Sequence, residues 1–219
     1  MLKEEAIWLA DWIYRMPVKD VFPLCNIGSS TLEYRAKKQP FIDELIFKPA
    51  RDKGLPVIHV DLKSARGVDI VGDISNPELI RKLSQYNFKS ILCANILEHV
   101  KNPRELCSSL TAIIPNGSYL MVTVPYKYPY HPDPIDNMFR PTPLELANLF
   151  INTKTVKEEI VIGKSFIDEL REEPIRIRKW LARLAMPYYH PMSWLGNLAT
   201  INYLFSNYKV SCLISQKLR

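Results

Sequence analysis

Ile91-Leu92-Cys93-Ala94-Asn95-Ile96-Leu97-Glu98-His99-Val100 reads as an apolar strand that runs straight into a short polar cluster. A helix-like segment opens immediately afterwards at Asn102-Pro103. In an open parallel sheet, ligands bind beyond the carboxyl ends of the strands, so a polar cluster placed there marks a site. A second signal lies upstream at Asn26-Ile27-Gly28-Ser29-Ser30. The two together predict neighbouring strand ends of one parallel sheet that face the same ligand.

The elements around these runs alternate strand and helix. Residues 2–15 carry Ile7, Trp8 and Trp12 at helical spacing among charges, which predicts an amphipathic leading helix. Residues 20–27 read as a first buried strand, with Pro23 pointing to an edge or early position. Residues 39–51 read as one helix with Pro40 near its start. Strands follow at 56–61, 68–71, 89–95 and 118–124, with helices at 77–84 and 103–113 between them. Such alternation predicts a parallel sheet covered on both faces. The proline- and aromatic-rich stretch 125–143 has no regular pattern, and loops of that length are usually functional. Thr142-Pro143-Leu144-Glu145 predicts a capped helix start. Two last strands are expected at 155–162 and 208–215.

Composition narrows the class. The 219 residues suffice for one domain with a sizeable core, and no apolar run approaches the roughly 20 residues of a membrane-spanning helix. Residues 174–219 hold seven Lys and Arg and no Asp or Glu, so this part is +7 and the first 173 residues are −1. Any anionic partner is expected at the C-terminal part. Cys25, Cys93, Cys107 and Cys212 show no CxxC spacing, so buried free thiols in a cytoplasmic protein are expected rather than a disulfide or metal framework. Lys3, Glu4, Glu5 and Asp11 make residues 1–12 unlike a signal peptide.

Four strand ends carry polar residues suited to a nucleotide cofactor. Gly28 lets the backbone approach a ligand and the serines beside it can donate hydrogen bonds, although such turns are often only turns. Asp61 can accept both hydroxyls of a ribose, or cap a segment. Asp73 can bind an adenine amino group, or close an Asp-x-Ser turn. The fourth end is the 95–99 cluster. A dinucleotide cradle needs G-x-G-x-x-G with an acid about 20 residues on; only Gly28 is present and Asp61 lies 33 residues downstream, so NAD is disfavoured.

The order Asn26-Ile27-Gly28-Ser29-Ser30, Asp61, Gly72-Asp73, Ala94 to Val100 and Pro115-Asn116-Gly117-Ser118-Tyr119-Leu120 resembles class I S-adenosylmethionine-dependent methyltransferases. Leu97-Glu98-His99-Val100 and Asp136-Asn137-Met138-Phe139-Arg140-Pro141-Thr142-Pro143 are similar to the small-molecule branch that includes ubiquinone and glycan-pathway enzymes. The resemblance covers about residues 18–150 and a final hairpin. It implies an α/β, Rossmann-like, seven-stranded and mostly parallel sheet with helices on both faces, an antiparallel last strand and a helical insert before it. The expected organisation is a leading helix (1–17), a core (18–162), a basic aromatic insert (163–206) and a final strand (207–219) in one domain.

The resemblance also implies S-adenosyl-L-methionine as cofactor, held by Asn26, Gly28, Ser29, Asp61, Asp73 and Asn95, with no metal ligands. Ser29 and Ser30 stand where the family usually carries further glycines. The loop Tyr128-Pro129-Tyr130-His131-Pro132-Asp133-Pro134-Ile135-Asp136 would lie on the acceptor side. His131 is the candidate catalytic base, with Asp133 or Asp136 orienting it or binding hydroxyls; the bland alternative is that these residues pin the loop. Arg140 is expected to anchor the loop through a carboxylate, and His99 to pack or cap. The substrate class is a small-molecule, sugar or lipid-linked acceptor.

Residues 175–184 place Ile177, Trp180, Leu181 and Leu184 on one helical face and Arg176, Lys179 and Arg183 on another. A helix packed on the domain with a solvated basic face is the favoured reading. Peripheral contact with an anionic membrane surface is the alternative. No nucleic-acid-binding module is recognisable. A non-catalytic interaction protein acting through this insert is the alternative function.

Overall fold

The computed structural model describes residues 1–131, 133–172, 178, 181, 182 and 203–218. The strands are β1 (Leu24–Ile27), β2 (Val57–Asp61), β3 (Ile70–Val71), β4 (Ser90–Ala94), β5 (Tyr119–Lys127), β6 (Thr153–Ser165) and β7 (Asn207–Lys217). They form one sheet in the order β3-β2-β1-β4-β5-β7-β6. β1 to β5 pair in parallel, and β7 runs antiparallel to both β5 and β6. The carboxyl ends of β1, β2, β3 and β4 therefore open on one side of the sheet.

The helices are α1 (Lys3–Arg15), α2 (Val18–Val21), α3 (Pro40–Ile42), α4 (Lys48–Asp52), α5 (Pro77–Ser84), α6 (Pro103–Ile113), α7 (Pro143–Ala147) and α8 (Phe166–Glu172). Among the described residues, no helix is long and apolar enough to cross a membrane. Successive strand residues alternate between the faces. Ile91 and Cys93 of β4, with Leu120, Val122 and Val124 of β5, join Leu79 and Leu83 of α5 and Leu106 and Leu110 of α6 in one core. Leu92 and Met121 point the other way, against Trp8, Leu9 and Trp12 of α1 and Ile46 and Phe47. All four cysteines are buried and unpaired, and burial pushes the Cys107 thiol up to about 12, so they pack rather than react.

Several elements depart from the sequence expectation. Residues 20–27 do not form one strand. Val18–Val21 is a helical turn, and the ladder starts at Leu24 because Pro23 has no N–H to give it. The helix expected at 39–51 runs without a gap over residues 40–52, but its middle closes as π turns instead of α turns. A π turn at Tyr34–Lys38 precedes α3, and a second at Asp43–Phe47 precedes α4. Pro49, inside this run, lacks the N–H that an α-helical bond would use there, whereas Pro40 sits at the first turn, where none is needed. In α1, Trp8 and Trp12 are buried, but Ile7 is about half exposed. Between β4 and α6, Leu97–His99 adds a short 3-10 turn that carries Glu98 and His99. Most of the basic aromatic insert, including the face built on Trp180 and Leu184, lies outside the described residues.

Candidate active site

A cleft of about 760 Å³ lies over the carboxyl ends of β1, β2, β3 and β4. It is lined by Asn26, Gly28, Ser29, Asp61, Asp73 and Asn95, and on its far side by His99 and His131. Six expected cofactor residues and one expected catalytic residue thus meet in one place. Asp136 does not line the cleft.

The turn after β1 is built around one glycine and one guanidinium. Gly28 has φ +66°, and a Cβ there would overlap the Ile96 side chain from the turn after β4. Ser30 also takes a left-handed conformation, φ +56°, which is strained for a serine. Arg35, almost fully buried, donates from Nη1 to the carbonyls of Ser29 and Ser30 at 2.7 Å each, and from Nη2 to the Gly67 carbonyl at 2.7 Å. The Ser30 N–H donates to Asp61 Oδ2 at 2.6 Å, and the Lys63 N–H donates to Oδ1 at 2.9 Å. The missing glycines of this loop are thus offset by a buried arginine fixing carbonyls and a carboxylate fixing an N–H.

The other strand ends are similarly fixed. Asn26 pairs through Nδ2 with His59 Nδ1 at 3.1 Å. Burial, helped by Arg35, lowers the His59 pKa to about 4, so this nitrogen is the acceptor. Asp73 closes the Asp-x-Ser turn, accepting from the Ser75 N–H at 2.8 Å, while lining the cleft. Asn95, φ +55°, donates from Nδ2 to Glu5 Oε1 at 2.8 Å, and Thr123 Oγ1 donates to the same oxygen at 2.6 Å. Glu5 is fully buried and also lines the cleft, so α1 forms part of its wall. The sequence reading did not single out Glu5 or Arg35. The signal for Glu5 was a carboxylate three residues before Trp8 and seven before Trp12, on the buried stripe of an amphipathic helix.

The loop after β5 turns on Asp136. Its carboxylate accepts from the backbone N–H of His131 at 3.0 Å, from that of Met138 at 2.9 Å, and from Arg140 Nη2 at 2.6 Å. Burial alone would raise its pKa, but the Arg140 and backbone hydrogen bonds outweigh that and hold it at about 2. Asp136 is thereby the loop's anchor, with Arg140 as its partner. Asn137 ties the loop to the 3-10 turn, donating to the carbonyls of Leu97 at 2.9 Å and Val100 at 2.7 Å. At the mouth, Lys63 reaches Asp133 at 4.0 Å, so the loops after β2 and β5 meet across the cleft.

His131 Nδ1 lies 3.0 Å from the Pro129 carbonyl and 3.3 Å from Asp136. Both neighbours only accept, so this nitrogen carries the proton and Nε2 keeps its lone pair. Burial lowers the His131 pKa, opposed by the Pro129 carbonyl and Asp136, so the ring is neutral at pH 7.

This sheet order, with β7 inserted antiparallel, is the class I methyltransferase fold. No protein-family model matches the chain, and comparison with curated proteins finds no match. Among solved structures, the chain is similar to the StiE O-MT (10% identity, TM-score 0.55, covering 95% of this chain and 72% of that one). It is similar to the [4+2]-cyclase SpnF (16% identity, TM-score 0.52, 96% and 80%). It also matches coclaurine N-methyltransferase bound to N-methylheliamine and SAH (17% identity, TM-score 0.51, 97% and 70%). At such identities the likeness is one of fold, and SpnF carries a different chemistry on it.

Proposed function

We propose that the protein transfers the methyl group of S-adenosylmethionine to a small-molecule, sugar or lipid-linked acceptor. The observation that carries this reading is the meeting of Gly28, Asp61, Asp73 and Asn95 at one cleft whose opposite wall is the His131 loop. In the proposed arrangement the open turn at Gly28 faces the amino-acid end of the cofactor. Asp61 faces the ribose, Asp73 the adenine, and Asn95 supports the cofactor with Glu5 behind it. Coclaurine N-methyltransferase, similar in fold, was solved with SAH.

Methyl transfer is an in-line displacement at a sulfonium carbon, so the protein's task is to position the acceptor and exclude water. The His131 loop, held by Asp136, Arg140 and Asn137, supplies the acceptor wall and offers a neutral imidazole lone pair there. Asp136 contributes as a positioning residue. We place the protein in the cytoplasm on its four buried free thiols. Isothermal titration with S-adenosylhomocysteine tests cofactor binding, and release of S-adenosylhomocysteine from S-adenosylmethionine in an acceptor screen tests transfer. Binding without transfer to any hydroxyl, amine or carboxylate acceptor would leave a binding module instead of an enzyme.

A further inference from the structure

One oxygen of Glu98 and one ring nitrogen from each of His99 and His131 lie within 4.8 Å of one another. Three features set this cluster apart from a chance meeting. Glu98 is fully buried, and among the described residues neither carboxylate oxygen has a hydrogen-bond partner. Buried carboxylates are otherwise paired, hydrogen-bonded or bound to metal.

Next, both imidazoles are held in the same tautomer. His99 Nδ1 donates to the Ile135 carbonyl at 2.6 Å, as His131 Nδ1 does to Pro129. Each Nε2 therefore keeps its lone pair, the arrangement by which metal-binding histidines are oriented through their second nitrogen. His99 Nε2 already stands 3.8 Å from Glu98 Oε1. Finally, the two segments are locked together. Asn137 N–H donates to the Glu98 carbonyl at 2.9 Å, beside its side-chain bonds to Leu97 and Val100.

We propose that Glu98, His99 and His131 form a binding site for one divalent first-row transition cation, zinc in particular, which holds a hydroxyl of the methyl acceptor. Two imidazoles and one carboxylate suit zinc better than magnesium or calcium, which take oxygen ligands. A tetrahedral set with bonds of about 2.1 Å spaces its ligand atoms about 3.4 Å apart, so side-chain rotations of about 1 Å complete it. Three protein ligands leave a fourth position, open to the cleft that His99 and His131 line.

This deepens the methyltransferase reading and rests on it. An acceptor hydroxyl bound at the open position loses its proton to water, as metal-bound oxygens do near neutral pH. The oxygen then bonds to the methyl carbon, and the carbon–sulfur bond breaks with its electron pair going to sulfur. A methyl ether and a neutral thioether result, with one proton released. His131 serves as a ligand in this step, so it takes no proton from the acceptor.

The test is titration of chelator-stripped protein with ZnCl2, and separately with CoCl2, whose visible bands report coordination by nitrogen and oxygen. One equivalent should bind at micromolar or lower concentration. Glu98→Gln and His131→Ala should each weaken it at least a hundredfold, since loss even of outer partners costs ten- to a hundredfold. Should Glu98→Gln not fold, His131→Ala, on a loop where that side chain is 35% exposed, carries the comparison. Wild-type protein that binds neither ion, or variants that bind as tightly as wild type, would overturn the site. A parallel S-adenosylhomocysteine titration separates the two claims. Zinc bound without S-adenosylhomocysteine keeps the site and removes the methyltransferase reading, and the reverse removes only the site.

Discussion

Gly28→Ala puts the geometry of the cofactor turn under direct test. The residue sits at φ +66°, where an L-side chain costs about 1–2 kcal/mol. The new Cβ would also overlap Ile96, and forcing an extra carbon into packed surroundings costs about 1–3 kcal/mol. The sum, about 2–5 kcal/mol, appears as lost stability if the turn holds its shape. If the turn shifts instead, the cost appears as lost cofactor affinity. With a urea slope of about 2 kcal/mol per molar, a stability loss of that size lowers the unfolding midpoint by roughly 1–2.5 M. The overlap part is separable. In a double-mutant cycle, Ile96→Ala should relieve about 1–3 kcal/mol of the Gly28→Ala penalty and leave the φ part in place. Urea melts and S-adenosylhomocysteine titrations of the four proteins check this. A Gly28→Ala protein with unchanged midpoint and unchanged affinity would refute the account of the turn.

Further expectations follow from neighbouring residues. Arg35→Lys cannot span the carbonyls of Ser29, Ser30 and Gly67, and the loss of charge-assisted bonds worth about 1.5 kcal/mol or more should weaken S-adenosylhomocysteine about tenfold, read by calorimetry. Asp136, depressed from 3.8 to about 2, stabilises the fold fully above about pH 4 and loses that contribution, about 2 kcal/mol, as pH falls towards 2. The stability gap between wild type and Asp136→Asn in urea melts should therefore close over that window. Thr142→Ala removes the Oγ1 half of the α7 capping box, leaving the backbone N–H of residue 142 on Glu145, and should cost about 1 kcal/mol in thermal melts, with cofactor affinity unchanged.

Local chemistry was readable along the chain wherever a cap or proline marked it. α6 begins and ends where expected because Pro103 occupies its first turn and Asn102 accepts from the Glu105 N–H. Thr142 and Glu145 form the reciprocal cap that their spacing predicts. The polar strand ends were readable because parallel strands buried on both faces leave few other places for Gly28, Asp61, Asp73 and Asn95. What remained hidden depends on distant pairing. Glu5 meets Thr123 and Asn95 only once α1 crosses the sheet, and Arg35 finds Gly67 only once β2 and β3 are placed. The π turns near Pro40 and Pro49 were invisible because periodicity alone does not distinguish i+4 from i+5 closure. Asp136, expected to orient His131 or bind hydroxyls, has Arg140 and the backbone N–H groups of His131 and Met138 as partners, a set that only the folded loop brings together.

The central claim is that the ends of β1 to β4 bind the adenosyl cofactor. Calorimetric titration of the purified protein with S-adenosylhomocysteine measures it most directly. The account predicts one site of micromolar affinity that Asp61→Ala or Asp73→Ala weakens at least tenfold. Absence of binding by the wild-type protein, or equal affinity in both variants, would contradict it.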